Sequence, residues 1–157
     1  MSASRFLQLS LATAISARFD WYGVYTKSKA ETIKDASSPT GQRFVTTPVA
    51  PRENSDRIPG RDDVQFGASY ILSGNKGRNV TVKHVYLFPG DGMPNSATGE
   101  KVEKYEFTRD DAMGDPVLIG WSFENAPPER IVLGDWILQV WAGDRLLLEK
   151  RFTVYQP

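Results

Sequence analysis

From residue 79 to residue 83, NVTVK, polar and apolar side chains change places at every step, and the run goes on through HVYLF to residue 88. Val80, Val82, His84, Tyr86 and Phe88 have one parity, and Thr81, Lys83, Val85 and Leu87 the other. A period of two marks an extended strand, and a 3.6-residue helix cannot satisfy it. The same period recurs through most of the chain past residue 18. Phe19, Trp21, Gly23 and Tyr25 predict a first strand near 19–26, and QRFVTTPV a short one over 42–49. VQFGASYILS and NVTVKHVYLF read as the two sides of a hairpin, with Gly74, Asn75 and Gly77 in its turn. KVEKYEFT and PVLIGWSFEN follow, and GDWILQVWAGDRLLLEKRFTV, residues 134–154, closes the chain as a second hairpin turning at Ala142-Gly143-Asp144.

The intervening stretches carry turn chemistry. Lys27–Gly41 is polar and ends in SSPTG, PRENSDRIPGRDD spans 51–63, PGDGMPNSATGE spans 89–100, and RDDAMGD spans 109–115. Each reads as a connecting loop. Seven or eight short strands with no interior helix predict an all-β fold, an antiparallel immunoglobulin-like β-sandwich, with a small β-barrel as the alternative. In the terminal hairpin Trp136, Leu138 and Val140 share a face, as do Leu146, Leu148, Phe152 and Val154 on the return strand. Each large side chain buried there contributes roughly 1.5–3 kcal/mol, so this hairpin is expected to supply much of the core. Lys150 has the same parity, which calls for a bulge or a stem that snorkels to the rim.

A chain of 157 residues fits one domain and can bury its own core without a staple. The absence of cysteine excludes disulfides, thiol nucleophiles and cysteine-ligated metals. Lys plus Arg and Asp plus Glu number 19 each. A balanced charge gives no field to draw in nucleic acid or an anionic membrane. The first residues, MSASRFLQLSLATAISA, have a basic start, an apolar middle and small residues at the end. That outline fits a short export signal, the alternative being a packed N-terminal helix, and it is too short to span a bilayer. Residues 1–17 are expected to be this segment and residues 18–157 a single domain, periplasmic or secreted, with a cytoplasmic location as the alternative.

The order FDWYGVY, SPTG, RIPGRDDVQFGASYIL, LFPGDGMPN and GDWILQVWAGDRLLLEKRFTV resembles a bacterial domain family catalogued only as a domain of unknown function. The resemblance spans about residues 19–155 and implies a small, often exported, β-rich protein. It implies no activity, and no catalytic residue follows from it.

Catalytic patterns are sparse. His84 is the one histidine, so any general-base scheme has to pass through it, and no G-x-S-x-G elbow accompanies it. It reads as a half-buried or rim histidine bonded to a neighbour. Asp56, Asp62 and Asp63, and Asp110, Asp111 and Asp115, match no calcium-loop spacing, and adjacent carboxylates on an extended chain diverge. GNKGRN lacks the G-K-[ST] ending of a phosphate loop. No cofactor or metal is expected. The reading is a non-enzymatic binding or structural module for a protein or cell-surface component. The alternative is a carbohydrate-binding module using an exposed tryptophan, and a hydrolase using loop carboxylates or His84 ranks third. Candidate contact residues are Trp141, expected to be partly exposed, and Asp91, Arg57 and Arg61 in the loops 51–63 and 89–100.

Overall fold

The computed structural model describes residues 15–157. Of the segment 1–17, residues 1–14 lie outside the described residues, and Ser16 and Ala17 already belong to the first strand, pairing with Ser73 and Leu72. Eleven strands are present among the described residues: β1 (Ser16–Lys34), β2 (Gln42–Val49), β3 (Arg57–Pro59), β4 (Gln65–Ser73), β5 (Asn79–Leu87), β6 (Met93–Pro94), β7 (Lys101–Val102), β8 (Lys104–Ala112), β9 (Pro116–Ser122), β10 (Gly134–Ala142) and β11 (Arg145–Tyr155). Three of them, β3, β6 and β7, have only two or three residues, which leaves eight long strands. One sheet has the order β2-β1-β4-β9 and the other β3-β11-β10-β5-β8, with β6-β7 as a separate ribbon. Every pairing is antiparallel except β3 with β11. Two facing sheets of mainly antiparallel strands make the immunoglobulin-like sandwich that the alternation predicts.

The core is aromatic and, in a chain without cysteine, holds no inter-sheet disulfide. Phe66 of β4 packs edge-on against Trp136 of β10 at 5.4 Å between ring centres and against Phe152 of β11 at 5.3 Å. Phe123 and Trp121 also close on Trp136, at 5.6 Å each. Phe66, Phe123, Trp136 and Phe152 are completely buried. The indole N–H of Trp136 is satisfied by the Val132 carbonyl at 2.8 Å, so the ring costs no unpaired donor.

Several sequence expectations change here. β4 and β5 are not hairpin partners; they lie in opposite sheets, and residues 74–78 form an arch between them. Period-two alternation identifies a buried face but not the neighbour that completes the ladder. Of the three turn residues, Gly77 alone has positive φ, at 84°. The terminal hairpin is a true pair, β10 with β11, and Gly143 (φ 56°) opens its two-residue turn. A bulge between Val140 and Trp141 leaves Leu147 extra, which turns Leu146 outward to 40% exposure and packs Leu147 on the core. Lys150 stays inward, opposite Leu138, with Nζ 3.8 Å from the Tyr22 ring centre.

The stretch 27–41 is not simply a loop. β1 pairs with β4 through Tyr25, then continues past the end of β4 and pairs with β2 from Thr26 to Lys34. The result is a two-stranded arm, with an irregularity between Lys27 and Lys29. Residues 31–34 are exposed, so no buried face imposes alternation on the sequence there. RDDAMGD is likewise half strand, since β8 runs to Ala112.

Candidate functional site

The tip of the arm does not hang free. Its turn is closed by Asp35 N–H to the Gly41 carbonyl at 3.1 Å, and Ser37 donates to the Asp35 carboxylate from both its hydroxyl (2.6 Å) and its backbone N–H (3.0 Å). The same carboxylate accepts the Tyr105 hydroxyl of β8. Arg43 of β2 lies over the Phe107 ring at 4.6 Å, with its Nε 3.5 Å from Asp35. Burial works to raise the Asp35 carboxyl, but the bonds from Ser37 and Tyr105 and the Arg43 charge outweigh it and hold the group below the usual range. Ser96 of the 89–100 loop donates its N–H to the Pro39 carbonyl at 2.7 Å. Lys27 meets Glu124. The arm is thus tied to β8, to the 89–100 loop and to the segment after β9.

A groove lies beneath it. Its outer part, about 450 Å³, is open and is lined by Met93, Trp121, Phe123, Asn125 and Arg130 among others. Its inner part is narrower, about 80 Å³, and shares Thr40, Gln42, Trp121 and Ser122 with the outer part. The inner floor depends on two glycines facing each other across β4 and β9, Gly67 and Gly120. A Cβ on Gly67 would come within 2.2 Å of the Ile119 carbonyl oxygen, and one on Gly120 within 2.9 Å of the Tyr25 hydroxyl. The absence of side chains lets the Tyr25 ring lie close to β9. Burial pushes the Tyr25 and Tyr86 phenols up, so both are neutral donors at neutral pH. Tyr86 spends its hydroxyl on the Gly120 carbonyl at 3.0 Å.

His84 is fully buried between the sheets, not half-buried or at a rim. Its Nε2 lies 2.7 Å from the Tyr70 hydroxyl, which donates to Asp111 at 2.8 Å, while Arg109 Nε donates to the other Asp111 oxygen at 2.5 Å. Tyr70 has one proton and gives it to Asp111, so Nε2 of His84 must be the protonated nitrogen. Its Nδ1 is then a bare acceptor, buried with no partner. Burial, then the charges of Arg109 and Arg43, push the imidazole down to about 3. Asp110 points the other way, accepting from the Thr81 hydroxyl at 2.6 Å, as expected for adjacent residues of a strand.

The four candidate contacts from sequence are not brought together. Trp141 is partly buried on the outer face of its sheet, its N–H on Gln139 at 3.0 Å and Lys83 Nζ 5.7 Å from its ring centre. Arg57 stacks on Tyr155 at 4.7 Å, Arg61 pairs with Asp63 at 3.2 Å, and Asp91 faces Lys101 at 3.5 Å. These three adjoin the other end of the β10–β11 hairpin, roughly 23 Å from Trp141 at about 3.3 Å per residue. The four tryptophans do not share one exposed face: Trp121 and Trp136 pack on each other against the core, and Trp21 lies against Tyr25 at 5.9 Å. Sequence reasoning missed Tyr25, Gln65, Arg43 and Arg109 as groove residues. Their one signal was the placement of Arg109 and Arg43 beside aromatic positions of strands.

Among the described residues, no group of three or more histidine, aspartate or glutamate side chains is placed to hold a metal ion, and no helix is long and apolar enough to cross a membrane. Residues 14–154 match the family model described as Domain of unknown function (DUF3859). No curated protein matches the chain. The fold is similar to the crystal structure of an immunoglobulin-like protein from Pseudomonas aeruginosa. The two share 26% identity at a TM-score of 0.62, over 89% of this chain and 97% of that one.

Proposed function

We propose, for a chain that belongs to the DUF3859 family, that it is a non-enzymatic binding module acting outside the cytoplasm, and that the groove beneath the β1–β2 arm receives a protein or cell-surface partner. The observation that carries this reading is the groove itself. A two-stranded arm is held over one side of the sandwich by contacts to three other segments, and it leaves a cleft of ligand size. Immunoglobulin-like folds offer loops and sheet edges for recognition, and this groove is built from both. The one histidine supports binding over catalysis, because it is buried behind Phe107 with its Nε2 proton committed to Tyr70. The signal-like outline of the first residues supports the location, although its last two, Ser16 and Ala17, are strand residues of β1.

Ser122 lines both parts of the groove, so Ser122→Trp should fill it. Immobilised wild-type protein should retain a partner from periplasmic or culture-medium fractions that the variant, with unchanged circular dichroism, does not. Identical recoveries from both would discard the groove as the binding surface. N-terminal sequencing of the protein from its native host should find the first residues removed; an intact Met1 or Ser2 would remove the export claim.

A further inference from the structure

We infer that the inner part of the groove is an anion pocket, shaped to take a single carboxylate whose flat apolar body rests in the outer part. This rests on the groove being the binding surface and names the chemistry it selects.

Three observations converge. The first is charge. The chain is neutral overall, yet the fourteen residues lining the inner pocket include Lys27, Arg43 and Arg109 and no acid. Their partners Asp35 and Asp111 are not among those lining residues, and Glu124, which meets Lys27, lines the outer part instead. A guanidinium has five N–H donors in a planar fork, and Asp111 engages Arg109 through Nε. Arg43 Nε is buried and makes no hydrogen bond, although Asp35 is 3.5 Å away. The remaining donors of both forks suit a carboxylate, which accepts two parallel N–H bonds.

The second is unmet polarity. Tyr25 and Gln65 face each other across β1 and β4, line the inner pocket, and are 5% and 8% exposed. Neither side chain has a hydrogen-bond partner among the described residues, whereas other buried polar groups here, such as Tyr70 and Tyr86, do. The wholly buried orphan atoms among the described residues are Arg43 Nε and His84 Nδ1, so the Tyr25 hydroxyl and the Gln65 amide stay open to the pocket, and an anion at this point would accept from both.

The third is shape. About 80 Å³ admits a carboxylate and a few carbons but not an aromatic body, while the adjoining 450 Å³, whose accessible apolar lining comes from Trp121, Ala126 and Pro127, does. A ligand would enter head first. The carboxylate could belong to a free small acid or to the C-terminus of a protein chain, because both present the same group.

The test uses the full chain, titrated with 3-phenylpropionate, its amide, an acetylated peptide ending in phenylalanine with a free carboxylate, and that peptide's C-terminal amide. The readout is the indole N–H resonance of Trp121. At least one acid should titrate it saturably, at least tenfold more tightly than its amide. Arg43→Gln and Arg109→Gln should each weaken the acid about tenfold. Tyr25→Phe, which removes only an unpartnered hydroxyl, should fold as wild type and weaken it several-fold. A response to the peptide acid alone assigns a chain terminus, and a response to phenylpropionate alone assigns a small acid; each supports the pocket. Equal titration by acid and amide, or no titration by any probe at millimolar concentration, overturns it. Loss of capture by Ser122→Trp alongside silent probes would end this inference and leave the groove reading standing.

Discussion

Tyr70, His84 and Asp111 form a chain of hydrogen bonds inside a β-sandwich core, and its consequences are electrostatic. In the unfolded chain His84 takes up a proton near pH 6.5; in the folded protein it resists until about pH 3. The folded state binds fewer protons over that window, so stability is fully present above pH 6.5 and is lost as pH falls toward 3. Between pH 7 and pH 5 the loss should be about 2 kcal/mol, before carboxylates titrate strongly. Urea denaturation at the two pH values measures it, and His84→Gln should flatten the dependence. An unchanged slope in that variant would assign it elsewhere. The parity of His84 was legible in the sequence, because it alternates with Val82 and Tyr86. Its depth was not, because Tyr70 and Asp111 lie 14 positions before and 27 after it and come to it from opposite sheets.

At the level of elements, the terminal hairpin separates two tryptophans five residues apart. Trp136 closes on Phe66, Phe88 and Phe123, while Trp141 lies on the outer face beside Gln139 and Lys83. Trp136→Ala should cost about 3–5 kcal/mol and Trp141→Ala about 1 kcal/mol or less, read from denaturation midpoints. Equal costs would contradict the assignment of faces. Alternation sorted these two residues correctly but failed at Leu146, because one extra residue at the bulge resets parity for everything before it. It also failed for the arm. A strand whose residues are exposed has no reason to alternate, so ETIK, residues 31–34, reads as loop although each of its residues is paired with β2.

At the scale of the whole molecule, strand partners are far apart in sequence. Arg57 of β3 pairs with Thr153 of β11, 96 positions later, and β1 pairs with both β2 and β4. Closing such loops precedes the contacts that reward it, so folding should be slow for the chain's size. Stopped-flow refolding should relax in milliseconds to seconds; relaxation within microseconds would be inconsistent with this topology.

The sequence by itself determined the all-β class, the sandwich, the closing hairpin with Trp136 inside, and the resemblance to an uncharacterised domain family. Each of these depends on local pattern, on the order of segments, or on side-chain parity, and these are properties of a chain read in order. Only the tertiary structure decided that β4 and β5 face each other across the core, that the polar stretch after Tyr25 is an arm, and that Tyr25, Gln65, Arg43 and Arg109 share one pocket. Those residues come from four strands in both sheets, and the pocket exists only because the arm is drawn back onto β8. A linear pattern records which face a residue prefers; it does not record which distant strand completes the wall.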